Sequence, residues 1–508
     1  MLLIYPPVAK PSEPPAGLAK LAGALNHHHI NHQIIDANLE ALLHRVQGPV
    51  NSPDQWTHRA GRHLASNLTA LSNGEAFRNL DFYKRTVIDI NRIVQMAQPQ
   101  LDGTLTLVNY VDQRLSPVCS EDLIRAADNP EQNPFFAYFS ARLDGLLEDR
   151  QTSLIGISLN YLSQALCAFA MAGYLRKKAP GVKIIMGGGL ITSWLASPRW
   201  RNPFKGLIDE LVAGPGEAPL LLSQGIEPIE SHYRPDYSAF SGNHYLSPGF
   251  ILSYSGSKGC YWNRCSFCPE KAEGHRFSPI PLRQVMTDLE SLIQKTQPIL
   301  IHLVDSAVSP SLLRCLSENP IPIPWYGFTR LNQELTDLDF CLALKRSGCV
   351  MLKLGLESGD QTVLDHMGKG IDLNQASVAL QNLKKSGIAT YVYLLFGTPT
   401  EDLIRVRRTL DFIIGHSQAI GFLNLAIFNL PVDSPDSELM ETKAFYEGDL
   451  SLYRQFKHPL GWDRSKVRQF LDREFKRHPI IAGILRRNPP FFTSNHAPFF
   501  RKDLSGNL

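Results

Sequence analysis

The 508-residue sequence has almost no net charge: 51 lysines and arginines stand against 48 aspartates and glutamates, for a formal charge of +3. That balance removes the electrostatic case for nucleic acid or an acidic surface, which needs a basic excess. No apolar run approaches the roughly 18 residues that would span a bilayer, so no membrane segment is expected. The start, Met1-Leu2-Leu3-Ile4-Tyr5-Pro6-Pro7, has no basic leader, and its apolar run stops at a proline pair. It reads as a first strand and not as a signal peptide. Repeats and low-complexity tracts are absent. Cysteine is sparse, eight in all, and Cys119, Cys167, Cys315, Cys341 and Cys349 are scattered. That distribution excludes a disulfide framework and fits a reducing cytoplasm.

The other three cysteines are crowded into Gly259-Cys260-Tyr261-Trp262-Asn263-Arg264-Cys265-Ser266-Phe267-Cys268, with the next cysteine at Cys315. Three thiolates at short spacing can hold three irons of a four-iron cluster and leave one iron open. An open metal position is what catalysis needs, because substrate or cofactor can enter it. The competing reading is a structural zinc site with His275 as fourth ligand, a non-catalytic binding protein. Zinc loops favour paired Cys-x2-Cys units, and one such pair is present. The tract His27-His28-His29 sits at a helix end before a strand, where imidazoles are common.

The length calls for two or three domains. Strand–helix alternation in residues 1–225 predicts a Rossmann-like α/β domain. Its strands are Leu2–Tyr5, Gln33–Asp36, Leu154–Leu159, Lys183–Met186 and Leu207–Val212, with a helical insert over about 40–150. In such sheets ligands bind beyond the carboxyl ends of the strands, so Ser158, Gly187, Gly188, Gly189 and Glu217 are expected on one rim. Residues 226–249, with Pro228, Pro235 and Pro248, read as a linker. A second alternating series fills 250–440: Ile251–Tyr254, Ile299–Val304, Trp325–Thr329, Met351–Gly355, Thr390–Phe396 and Phe422–Phe428. Six strand–helix units predict a partial (β/α)6 barrel, with chemistry at the carboxyl ends of its strands. The cysteine loop follows the first of them. Residues 441–508 are expected to be helical and then irregular, with a Phe-rich end.

These residues together resemble the radical S-adenosylmethionine (SAM) enzymes, in the subfamily with an amino-terminal cobalamin-binding-like domain. The resemblance covers roughly residues 1–440. It rests on the cysteine loop with Phe267, on Gly355-Leu356-Glu357-Ser358-Gly359 and Phe396-Gly397-Thr398-Pro399-Thr400-Glu401, and on Pro14-Pro15-Ala16-Gly17-Leu18, Gly156-Ile157-Ser158, Gly187–Gly189 and Gly214-Pro215-Gly216-Glu217. One departure is the spacing: four residues and then two separate the cysteines, where the family has three and then two. Loops tolerate such a lengthening.

The resemblance implies a [4Fe–4S] cluster on Cys260, Cys265 and Cys268, with SAM on the open iron. SAM would be cleaved reductively to methionine and a 5′-deoxyadenosyl radical, with the electron coming from a donor such as flavodoxin or ferredoxin. It implies an adenine contact near Phe267, Phe396 and Gly397, and a SAM ribose contact at Glu357. It implies an amino contact at Asp305 and a carboxylate contact at Arg330. The plain alternative for Glu357 is a salt bridge to Arg330 on the neighbouring strand. Cobalamin would bind the amino-terminal rim, although the Asp-x-His-x-x-Gly signature that supplies a histidine to cobalt is absent. Methylation or rearrangement of an unactivated carbon, in a small molecule or peptide, is the implied reaction. A methylthiotransferase is the alternative enzyme; it needs further cysteines in the amino-terminal domain, where Cys119 and Cys167 are available.

Overall fold

The computed structural model describes residues 1–48, 54–97, 102–148, 152–229, 232–434, 436–492 and 496–501. The chain forms two compact units. One comprises Met1–Phe250 with Tyr446–Leu452 and Pro490–Phe492; the other comprises Ile251–Phe445 with Tyr453–Pro489 and Thr493–Leu508.

The first unit is built on five parallel strands: β1 (Leu2–Ile4), β2 (Gln33–Ile35), β3 (Leu154–Ser158), β4 (Lys183–Gly187) and β5 (Glu210–Leu211). Their spatial order is β2-β1-β3-β4-β5. Leu3 pairs with both Ile34 and Gly156, so β1 is an interior strand, and strands are added on its other side after β2. The continuous apolar run Leu154–Ile157 is buried throughout, as a strand covered on both faces requires. The strand expected over Leu207–Val212 contracts to Glu210–Leu211, because pairing with Ile185 and Met186 spans two residues.

The insert is helical as its polar pattern suggested, from Ala37–Gln47 to Phe136–Leu147. It also carries a small antiparallel hairpin, Gly103–Leu105 with Tyr110–Asp112, that the pattern did not reveal. Residues 226–249 read as a linker, and of these 232–249 pack on this unit. The Asp236 N–H donates to the Ala19 carbonyl, and the Tyr245 hydroxyl donates to buried Asp36 at 2.8 Å. Burial drives the Asp36 carboxyl up to about 6.

The second unit holds six parallel strands in simple sequential order: β6 (Ile251–Tyr254), β7 (Leu300–Leu303), β8 (Trp325–Thr329), β9 (Cys349–Glu357), β10 (Ala389–Phe396) and β11 (Phe422–Ile427). Helices Leu282–Thr296, Pro310–Glu318, Leu338–Arg346, Leu373–Ser386 and Leu403–Gly415 lie between them. Strand β9 is buried over all nine residues and outruns the expected Met351–Gly355 by two residues at each end. The floor is closed by Ile251, Leu300, Tyr326, Met351, Tyr391 and Phe422, and the Phe-rich tail supplies Ala497 and Phe500 to the same cluster. The tail therefore plugs the amino-terminal end of the barrel.

The extension expected to be helical from 441 starts instead with strands. β13 (Thr442–Ala444) and β14 (Tyr453–Phe456) join β12 (Leu430–Pro431) in an antiparallel sheet of order β12-β14-β13. Strands of two to four residues such as Thr-Lys-Ala carry no alternation long enough to read. Helices Arg464–Phe470 and Pro479–Leu485 follow.

Candidate active site

Every strand of the barrel ends on the same rim, and the rim gathers most of the residues singled out in the sequence. The cysteine loop leaves β6 through a short antiparallel ladder, Ser257–Lys258 with Ser278–Pro279. Gly259 opens the loop at φ +68°, and a Cβ there would lie 2.7 Å from the Arg276 carbonyl oxygen. Asp305, just beyond β7, is buried. Its carboxylate accepts from the Gly256 N–H at 3.0 Å and from the Ser257 hydroxyl at 2.5 Å, so it ties down the entry to the loop.

The loop packs against the segment after the helix Gln361–His366. The Trp262 indole N–H donates to the Gly368 carbonyl at 2.8 Å, and the Ser266 N–H donates to the Met367 carbonyl. Arg330, 5% exposed, lies 4.1 Å over the Trp262 ring, donates to Cys265 Sγ at 3.8 Å and hydrogen-bonds the Lys369 carbonyl. Lys369 in turn stands 5.5 Å over the Phe267 ring and 2.9 Å from Glu357 Oε1. The partner of Glu357 is thus Lys369, and the salt bridge to Arg330 weighed from sequence does not form. Arg330 is spent on the cysteine loop instead. The signal for Lys369 was its setting, Gly368-Lys369-Gly370, a cation held between two glycines of positive φ.

Glu357 itself has φ +70°, at an irregularity in the pairing of β9 with β10. Gly355 makes room for its side chain: a Cβ there would fall 2.7 Å from Glu357 Oε1 and 2.8 Å from Lys369 Nζ. The following turn is pinned to the helix Leu403–Gly415, where Gly359 N–H donates to Thr409 Oγ1 and Asp360 pairs with Arg408 at 2.7 Å.

At the end of β10, Phe396 is fully buried against Phe475, and the Gly397 N–H donates to Glu401 Oε2 at 2.5 Å. Burial pushes the Glu401 carboxyl up to about 8. Trp462 Nε1 also reaches Oε2, while Oε1 has no hydrogen-bond partner among the described residues. Beside it, His458 Nε2 meets the Thr398 carbonyl at 2.8 Å, and its Nδ1 accepts from the Leu460 and Trp462 N–H groups. That pattern specifies the neutral Nε2–H form, and burial lowers its pKa in the same sense. Glu401, His458 and Trp462 were not foreseen as a network.

The donor chemistry of the loop is soft thiol. Burial raises the Cys265 thiol, with Lys369 and Arg330 opposing it; burial raises Cys268 to about 11, opposed by the Glu270 and Lys271 N–H groups. Among the described residues no three His, Cys, Asp or Glu side chains are gathered closely enough to hold a metal as they stand. The cysteines nevertheless feel one another, Cys260 acting on Cys265 and Cys265 on Cys268. His275 is engaged at both ring nitrogens, 3.1 Å from Glu270 and 3.4 Å from Glu273. A loop of three thiols backed by two buried cations fits an anionic thiolate cluster better than a Cys3His zinc site.

In the first unit, Ser158, Gly187–Gly189 and Gly214–Glu217 follow the adjacent strands β3, β4 and β5. Asn160 ties the first two together, donating to Ser158 Oγ at 3.0 Å and accepting from the Gly189 N–H at 3.0 Å. The Gly214 N–H donates to Thr192 Oγ1 at 2.9 Å, which joins the third. Gly188 is closed over by its own fold, since a Cβ there would lie 2.4 Å from the Leu159 carbonyl oxygen. Gly214 faces open space, which leaves backbone accessible to a large ligand. His28 lies away from this rim, hydrogen-bonded to Tyr233. Cys167 is fully buried against Asn133 on the helix Leu162–Lys178, its thiol pushed up to about 12 by burial.

Comparison with known proteins agrees with this geometry. An uncharacterized methyltransferase of Pyrococcus horikoshii is 25% identical over 204 residues, 39% of this chain and 43% of the relative. The bacteriochlorophyllide d C-12(1)-methyltransferase of Chlorobaculum tepidum is 24% identical over 230 residues, 43% of this chain and 48% of the relative. The chain thus spans less than half the length of these curated relatives. The solved structure of the radical S-adenosylmethionine methyltransferase TsrM from Kitasatospora setae, with tryptophan substrate and a SAM analogue bound, shares the fold. It matches with a TM-score of 0.52 and 16% identity over 85% of this chain and 74% of that one. Residues 254–413 match the model of the radical SAM superfamily. The matched segment holds the cysteine loop, Asp305, Arg330, Glu357 and Gly397, the residues that the rim of the second unit gathers.

Proposed function

We propose that the chain is a radical SAM methyltransferase acting on an unactivated carbon, with Cys260, Cys265 and Cys268 as the ligands of a [4Fe–4S] cluster and cobalamin on the rim of the first unit. The observation that carries the reading is the three-cysteine loop at the carboxyl ends of six parallel strands, faced by the buried Arg330, Lys369 and Glu357. When bound, the cluster supplies the electron that cleaves SAM, and cobalamin supplies the methyl carrier.

The chain's own residues do the positioning. Asp305 fixes the loop entry, Trp262 and Met367 clamp the loop to the turn beyond β9, and Arg330 places positive charge beside Cys265. Burial raises the Cys265 and Cys268 thiols, and metal uptake would release their protons. Cys260, Cys265 and Cys268 would hold the cluster, with a four-residue spacer between the first two of them. In the second unit Glu357, Phe267 and Gly397 would contact SAM; in the first unit Ser158, Gly189 and Glu217 would contact cobalamin. The methylthiotransferase alternative has little to stand on, since Cys167 is buried on a core helix and engaged by Asn133. The names of the matched relatives favour methyl transfer.

The test is anaerobic reconstitution with iron and sulfide. The full chain is expected to take up about four irons and to release 5′-deoxyadenosine from SAM under reduction. Addition of methylcobalamin and a methyl acceptor is expected to yield S-adenosylhomocysteine as well. A colourless protein holding a single zinc would refute the reading.

A further inference from the structure

A cavity of about 610 Å³ opens beside Gly397, between the ends of β10 and β11, the antiparallel strands β13 and β14, and the turn and helix of 462–468. Its charge is one-sided. Lys443, Arg454, Lys457, Arg464 and Arg468 line it, against Glu441 and Asp463. Glu441 and Lys457 cancel as a pair, which leaves Lys443, Arg454, Arg464 and Arg468 against Asp463. Glu441 pairs with Lys457 at 3.0 Å, and Asp463 caps the following helix by accepting from the Ser465 and Lys466 N–H groups. His458, held in its neutral form, adds no charge. Two guanidinium groups are half-buried and pre-set: Arg454 on Thr442 Oγ1 at 3.3 Å, and Arg464 on Asn429 Oδ1 at 2.7 Å and over the Phe445 ring at 5.0 Å. Four aromatics, Phe428, Phe445, Phe456 and Trp462, supply most of its apolar wall, with Ile427 beside them.

We infer that this cavity binds an organic anion with a flat apolar body, its carboxylate or phosphate held by Arg454 and Arg464 and its ring system laid against the four aromatics. Guanidinium forks suit planar oxyanions, and their hydrogen bonds to a charged acceptor are the strong kind. Aromatic walls provide area without much entropy to lose. The balanced overall charge of +3 makes the local excess a built feature of this wall rather than a consequence of a basic protein. That the bound anion is the methyl acceptor rests on the proposed function, because the cavity begins at Gly397 on the catalytic rim; binding itself does not.

Fluorescence titration of the full-length protein with pyrenebutyrate and with its neutral analogue pyrenemethanol tests the inference. The carboxylate is expected to bind at least about tenfold more tightly, and Arg454→Gln is expected to remove about tenfold of that preference. Arg468→Gln, on the exposed lip, is expected to weaken it less. Equal affinity for the two probes in the native protein would overturn the inference, as would an Arg454→Gln/Arg464→Gln protein that keeps the preference. The two-probe comparison needs no variant, so misfolding of the Arg464 substitution cannot mask the answer. Because binding is read with and without reconstituted iron, failure of the pocket and failure of cluster loading are separate results.

Discussion

Lys369→Met is the most informative single perturbation of the rim. The Glu357 and Lys369 side chains are 10% and 4% exposed and 2.9 Å apart. Removing the ammonium leaves a carboxylate stranded in the barrel, and breaking a buried pair from one side costs about 3–5 kcal/mol. For a unit of this size each kcal/mol moves the melting temperature by roughly 2–4 °C, so a fall of about 6–20 °C is expected. Lys369 also sits over Phe267, which contributes a cation–π term of about 0.5–2 kcal/mol.

The double variant Glu357→Met/Lys369→Met separates the two terms. It removes both charges at similar volume, so the stranded-charge cost vanishes and only the smaller cation–π loss remains. The double variant is therefore expected to be more stable than Lys369→Met alone, within about 1–2 kcal/mol of the native protein. Thermal unfolding followed by circular dichroism measures all three. A Lys369→Met protein as stable as the native one, or a double variant no better than the single, would refute the argument that this pair is desolvated and mutually dependent.

Three further outcomes follow from the same geometry. Gly355→Ala places a methyl group 2.7–2.8 Å from both atoms of that pair and from Phe328 Cζ, and is expected to cost about 1–3 kcal/mol in unfolding measurements. Glu401 titrates near 8 in the folded chain against 4.5 as its ordinary value, so the unfolded form binds fewer protons between those limits. Stability should fall as pH rises from about 4.5 through about 8, by up to a few kcal/mol, and Glu401→Gln should flatten that part of a melting-temperature profile. Truncation after residue 495 uncovers the barrel floor by removing Ala497, Phe499 and Phe500. It is expected to cost several kcal/mol of apolar burial, read as a lower melting temperature.

The strands of both sheets were legible because parallel strands buried on both faces leave continuous apolar runs in the sequence. Leu154–Ile157 is such a run, and Met351–Gly355 is one interrupted only by Lys353; each lies at the heart of an observed strand. Their ends were not legible, because an end is set by how far a neighbour continues. Glu210–Leu211 is short where its apolar context is longer, and Cys349–Glu357 runs beyond the expected Met351–Gly355 into Cys349, Val350, Leu356 and Glu357. The antiparallel sheet of 430–456 was illegible throughout. Tyr453–Phe456 reads Tyr-Arg-Gln-Phe and is a strand only because Leu430–Pro431 and Thr442–Ala444 flank it in space.

The candidate site divides the same way. The cysteine loop declares itself, since three thiols in nine residues have few other uses. The partners of charged side chains do not, because a charge on a strand can meet any cation that the returning loops bring to the rim. Arg330 stood on the neighbouring strand and was the natural partner of Glu357. Pairing them would have left Cys265 and Trp262 without the cation they now share and Lys369 buried without a counter-charge. A buried lysine has the costlier desolvation to offset, and Glu357 is the carboxylate it meets at 2.9 Å. The arrangement observed satisfies both cations at once, Arg330 through the ring and the thiol, Lys369 through the carboxylate. That is a property of four chain segments converging on one rim, and it becomes visible only when they do.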